Sequence, residues 1–129
     1  MKVLLSIKPE FAELIFDGSK KYEFRKAIFK NPNVKTVVVY ASFPVQLVIG
    51  EFDIDTILKG EPERLWRETR EYSGISEEFF FNYFAERNIG FAIKVKKARR
   101  YKDPLCLRTN YNITPPQSFC YVRGGMKDG

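Results

Sequence analysis

The chain has no histidine, and only two of its 129 residues are cysteine. Cys106 and Cys120 form no CxxC pair. A protein zinc site takes about four ligands, mostly nitrogen and sulfur, so no metal site is expected, and no cofactor is expected either. Without histidine, the side chain whose ordinary pKa lies nearest neutrality is missing. A general base must then be a carboxylate or a lysine of lowered pKa. Long apolar runs are also lacking, and none approaches the roughly 20 residues of a membrane span. The opening Met1-Lys2-Val3-Leu4-Leu5-Ser6-Ile7 is interrupted by Lys8-Pro9 too soon for a signal peptide. The expectation is a cytoplasmic protein with reduced thiols; the sequence does not fix the oligomeric state, and a monomer is favoured.

Aromatic rings, by contrast, are abundant: 12 Phe and 7 Tyr beside one Trp. Most belong to the core, where large rings contribute much of the burial energy, and any exposed one is available to stack on a base. The net charge of +6 is unevenly spread. Residues 1–50 carry eight basic and four acidic side chains, residues 51–90 five and ten, and residues 91–129 nine and two. Basic segments flanking an acidic one suggest an electrostatic face for an anionic partner, nucleic acid first among them.

Lys2 to Ile7 alternates as a strand, with Val3, Leu5 and Ile7 on one side. Pro9 suits the first turn of a helix, where a missing N–H costs nothing. Phe11, Leu14 and Ile15 fall on one helical face, and Gly18 ends the helix as a left-handed C′ residue. Lys35 to Ala41 is β-branched and apolar, hence a central strand. Gln46 to Ile57 reads as a long strand in which Gly50 marks a bulge or bend. Two helices follow, one opened by Pro62 and running to Tyr72, the other capped by Ser76. They make an acidic insertion, expected to pack over one end of the fold and to face away from an anionic ligand. Phe91 to Val95 alternates and runs into residues 94–102, six of nine of which are basic. Asp103-Pro104 ends that strand, residues 105–113 read as a loose strand and loop, and Gln117 to Val122 is the last strand. One domain, 1–122, is expected, with a disordered tail over 123–129. The elements sum to an α+β, mainly β fold: a small, largely antiparallel barrel of five to six strands with an early helix and a two-helix insertion.

One stretch joins these elements to chemistry. Gly18-Ser-Lys20-Lys-Tyr-Glu23-Phe-Arg25 carries Glu23 and Arg25 two apart, on one face of a short strand, with Tyr22 and Phe24 on the other. The charged pair either lines a site or forms a structural ion pair. The pattern Gly-x-Lys-x-x-Glu-x-Arg resembles the signature of the ASCH domain, a branch of the PUA-like superfamily. The likeness extends to Ser6-Ile7-Lys8-Pro9, Tyr40-Ala41-Ser42 and Pro115-Pro116-Gln117-Ser118-Phe119, segments similar to those of small stand-alone archaeal and bacterial ASCH proteins. The resemblance implies a PUA-like pseudo-barrel with a cleft lined by the signature strand, in a superfamily associated with RNA and modified nucleotides. Carried over by motif, Lys20, Glu23 and Arg25 line that cleft, and Lys8, Tyr40, Ser42, Gln117 and Ser118 flank it.

Three functions are compatible with this. A module binding RNA or a nucleotide, of regulatory type among others, uses Arg25 and Lys20 for phosphate or a base edge and the aromatic rings for stacking. A hydrolase would use Lys20 and Glu23. ASCH-like proteins include amidohydrolases on acylated cytidine, which use a lysine and a threonine in this motif, and ribonucleases. Here Glu23 stands where that threonine would be, so a hydroxyl nucleophile is missing. A protein-interaction domain of coactivator type would dock through the acidic, aromatic pair of helices at 61–86, and an exposed Trp66–Phe80 patch would mark it.

Overall fold

The computed structural model describes residues 1–123; the remainder of the expected tail lies outside them. Strand β1 (Lys2–Ile7) leads into helix α1 (Pro9–Asp17), then β2 (Tyr22–Arg25), β3 (Thr36–Ala41) and β4 (Leu47–Gly60). The insertion consists of α2 (Pro62–Thr69), a 3-10 turn (Arg70–Tyr72) and α3 (Glu77–Tyr83). Strand β5 (Gly90–Leu105), helix α4 (Leu107–Tyr111) and strand β6 (Phe119–Val122) complete the chain. Pro9 opens α1, and Gly18 closes it at φ 89°, a left-handed conformation in which a side chain is disfavoured. Ser76 caps α3 by accepting a hydrogen bond from the Phe79 amide at 3.0 Å.

The six strands form one sheet in the order β2-β5-β4-β3-β1-β6. Only β1 and β3 run parallel; the other neighbours are antiparallel. The bend expected at Gly50 is present, since the register of β4 shifts there against both β3 and β5. Strand β5 does not stop at Asp103-Pro104. Past Lys94 it has lost its partner β2 and pairs only with β4, so a proline on its free edge is tolerated. The stretch read as loose strand and loop contains α4, whose Leu107 and Tyr111 are buried.

The barrel expected from the sequence is not closed. β2 and β6 are the two edges of the sheet and do not pair with each other. Side chains bridge them instead. The Arg25 guanidinium donates to the Ser118 carbonyl at 2.8 Å and to the Ser6 carbonyl at 3.3 Å. The Tyr121 hydroxyl accepts from the amides of Lys30 and Asn31, and the Phe29 and Phe119 rings meet edge to face. Each edge strand is paired along its four residues on one side only, β2 with β5 and β6 with β1, and side chains rather than a backbone ladder close the gap between them.

Apolar residues gather in three clusters. One lies between the sheet and α1 and includes Val3, Leu5, Ile15, Val37 and Phe52. A second, around Leu4, Val38, Tyr40 and Tyr111, packs the other sheet face against α4. The third joins Phe24 of β2 to Leu65, Phe80 and Phe84 of the insertion. Truncating a ring as buried as Phe80 typically costs about 3–5 kcal/mol, so the insertion is a packed part of the fold.

Candidate functional site

After Gly18 the chain turns sharply, and two backbone bonds fix the turn. The Lys20 amide donates to Leu14 of α1, and the Lys21 amide to Tyr72 of the insertion. Lys20 is thereby driven inward and is only 2% exposed. Its Nζ donates to the Ser73 carbonyl at 2.6 Å and lies over the Phe24 and Phe11 rings, 4.8 and 5.1 Å from their centroids. Burial pushes the ammonium down to about 8, with the nearby Glu23 carboxylate opposing the shift. Glu23 is 6% exposed. Burial pushes its carboxyl up, while Arg25 first and Lys20 second pull it down. Arg25 donates to Glu23 at 3.2 Å. The charged face of β2 is therefore enclosed rather than solvated, because the insertion covers it.

Lys20, Glu23 and Arg25 line one cavity of about 250 Å³. Ser6, Ile7 and Lys8 from the end of β1, Phe11, Phe24 and Gln117 form much of its wall. Ile75, Phe79 and Tyr83 supply the rest, so the insertion does not face away from the cleft. Phe79 and Tyr83 are four apart on α3 and share a face, while Glu77 and Glu78 point to solvent. The net charge of the insertion is not the charge of the face it turns to the cavity. Tyr83 also lies close enough to feel the charges of Arg25 and Glu23. Lys8 holds its Nζ 5.3 Å from the Phe79 ring centroid.

The ASCH domain model matches residues 5–103. The chain belongs to the ASCH domain family. An ASCH domain-containing ribonuclease of Zymomonas mobilis is 30% identical over 128 residues, covering 95% of this chain and 84% of that one. The crystal structure of ASCH from Zymomonas mobilis superposes with a TM-score of 0.89 at 28% identity, over 98% of this chain and 91% of that one. The large ribosomal subunit protein uL22 of Ureaplasma parvum is 30% identical over 122 residues. That match takes in 94% of this chain but spans only 39% of the ribosomal protein's length.

Within this ASCH domain the flanking residues separate. Lys8 and Gln117 reach the cavity. Ser118 offers its carbonyl to Arg25, and Ser42 donates its amide to the Ile7 carbonyl, so each stands one bond behind the wall. Tyr40 does not line the cavity. Its ring is buried in the cluster with Leu4, Val48 and Leu107, on the sheet face packed against α4. Phe79 and Tyr83 were legible only as core positions, because Phe79-Phe80-Phe81 is apolar throughout and hides the helical period.

Half of the basic run of this ASCH domain, three of its six basic residues, is paired with the protein's own acids. Lys94 pairs with Asp55, Arg99 with Asp53 and Glu51, and Arg100 with Glu13. The alternating acids of β4 face the alternating bases of β5, as cross-strand neighbours do. A larger cavity of about 560 Å³ lies beside this network, but its Glu51 already accepts from Lys2, Arg99 and Tyr101. Phe80 is fully buried and Trp66 half-buried against it, which removes the exposed patch expected of a docking face.

Gly74 holds this site in shape. Its φ is +71°, and a Cβ there would lie 2.6 Å from the Lys20 Cβ and Cγ. Gly74→Ala should lower stability by at least about 1–2 kcal/mol from the backbone conformation alone, and should also displace Lys20. Urea denaturation checks this: an unchanged midpoint would show that the loop does not clamp the lysine.

Proposed function

We propose that this ASCH domain binds single-stranded RNA and cleaves it, with one nucleotide seated in the Lys20–Glu23 cavity. The observation that carries the reading is a buried acid–base pair at the floor of a cavity with aromatic walls. Stacking on rings together with contacts to cations is how proteins hold unpaired nucleotides. A volume of about 250 Å³ is small beside the roughly 300–1,000 Å³ of drug-sized sites and suits a single nucleotide. The named ribonuclease of Zymomonas mobilis, alike over most of both chains, supports the same substrate class.

In this reading Glu23, whose carboxylate is made more basic by burial, takes the proton of the 2′-hydroxyl. The 2′-oxygen attacks phosphorus, and the 5′-oxygen leaves. The products are a 2′,3′-cyclic phosphate and a 5′-hydroxyl end. Lys20, still mostly protonated at pH 7 but ready to release its proton, neutralises the phosphorane and protonates the leaving oxygen. Arg25 positions Glu23. Lys8 and Gln117 guide the strand at the mouth, and Ser42 and Ser118 brace the wall from behind. The setting is cytoplasmic, in keeping with two free thiols.

Glu23→Gln is expected to lower cleavage of a fluorescent oligoribonucleotide by about 10²–10⁴-fold, the usual share of a general base, while Kd changes little. Retained turnover would remove Glu23 from the chemistry. Retained RNA binding with no cleavage in the parent protein would reduce the function to binding alone, as in a regulatory module.

A further inference from the structure

The most exposed large apolar side chain among the described residues is Phe43, at 77%. It sits on the short turn between β3 and β4, beside Pro44 and the exposed Val45. The turn is ordered. The Val45 amide donates to the Ser42 carbonyl at 3.1 Å, and the Ser42 amide donates to the Ile7 carbonyl at 3.0 Å. A ring held in water on a fixed turn gains nothing for the fold.

Its position follows from topology. β1 and β3 are parallel neighbours, with Ile7 opposite Ala41, so both strands end on the same side. Beyond Ile7 the chain continues into Lys8, which lines the cavity; beyond Ala41 it continues into Ser42 and Phe43. Adjacent strands lie about 4.8 Å apart and rise about 3.3 Å per residue. Phe43 is not itself a lining residue, but the register puts it at the same end of the sheet as Lys8, two residues past Ala41 on the neighbouring strand. The Lys8 ammonium makes no ion pair among the described residues; its contacts there are the Phe11 and Phe79 rings. A free cation between an enclosed aromatic pocket and an exposed ring matches one phosphate between two bases.

We infer that Phe43 is a second stacking platform, which takes the nucleobase adjacent to the one held in the cavity while Lys8 meets the phosphate between them. The inference rests on the RNA reading above and extends it: the site takes at least a dinucleotide of single-stranded RNA. A duplex does not fit, since its bases are stacked on one another and offer no free face.

The test is Phe43→Ala in the full chain, read by fluorescence anisotropy with a labelled 2′-O-methyl oligouridylate, which lacks the 2′-hydroxyl needed for cleavage, and by competition with uridine monophosphate. Losing one base–aromatic stack should lower oligouridylate affinity about tenfold. Monophosphate affinity and the melting temperature should stay as in the parent. Phe43→Trp should restore the oligomer affinity, and its added fluorescence should be quenched by the oligomer and not by the monophosphate. Equal oligomer affinity in the parent and Phe43→Ala would overturn the inference while leaving the RNA reading intact. A parallel loss for monomer and oligomer would place Phe43 in support of the cavity and overturn it too. If the parent protein binds neither probe, the RNA reading itself fails, and the inference with it.

Discussion

Arg25→Ala is expected to lower folding stability by about 3–5 kcal/mol, the range seen when one partner of a buried ion pair is removed. Three acceptors lose their donor at once. The Ser6 and Ser118 carbonyls lose the bonds that join the sheet edges, and Glu23 loses the cation that offsets its burial. Arg25→Lys should recover only part of the loss, because one ammonium cannot fork between two strands. Replacing Glu23 as well, in Arg25→Ala/Glu23→Leu, should recover more, since the stranded carboxylate is then gone. Urea midpoints of the four proteins check this. A single variant as stable as the parent would mean that the guanidinium is free for a ligand and that the seam is held by Tyr121 and Phe29 alone.

Lys20→Met should abolish cleavage, by about 10²-fold or more, and should change how stability depends on pH. Folding lowers the lysine from 10.5 to about 8. Between those values the unfolded chain binds a proton that the folded chain has released, so parent stability rises with pH from about 8 to 10. Below pH 8 the folded protein carries the full penalty of a buried ammonium, about 3 kcal/mol for such a shift. Methionine removes the penalty and also the bond to the Ser73 carbonyl, worth about 1.5–3 kcal/mol for a charged donor. Net stability at pH 7 should thus change little, while the rise above pH 8 should be lost. A variant that keeps the rise would show that Lys20 titrates normally and is solvated in solution.

Much of this was readable in the residues themselves. Pro9 and Gly18 bound α1, alternation gave β1 and the start of β5, and Ser76 announced α3. The signature glycine, lysine, glutamate and arginine pointed to the strand at the cavity. What escaped was relational. Nothing in four residues of β2 reveals that Arg25 reaches across to Ser118, because that bond depends on how far the sheet curls. The acidic count of the insertion hid the ring face of Phe79 and Tyr83, because charge summed over a segment says nothing about orientation. Tyr40 sat beside motif residues in sequence but faces the opposite side of the sheet, since neighbours on a strand alternate. The basic segment that holds the Lys94–Lys102 run suggested an anionic partner, but β4 places Glu51, Asp53 and Asp55 against its Lys94 and Arg99.

The pairing of β6 with β1 puts Val122 directly across from Lys2. The chain therefore enters and leaves the sheet at one spot on the surface. A guest fold with its two ends side by side can be spliced into a surface loop of a host, or hung from either end, without stretching the host or disturbing its own strands. The matching stretch in the ribosomal protein of Ureaplasma parvum, only part of a longer chain, is the kind of arrangement such a doorway permits.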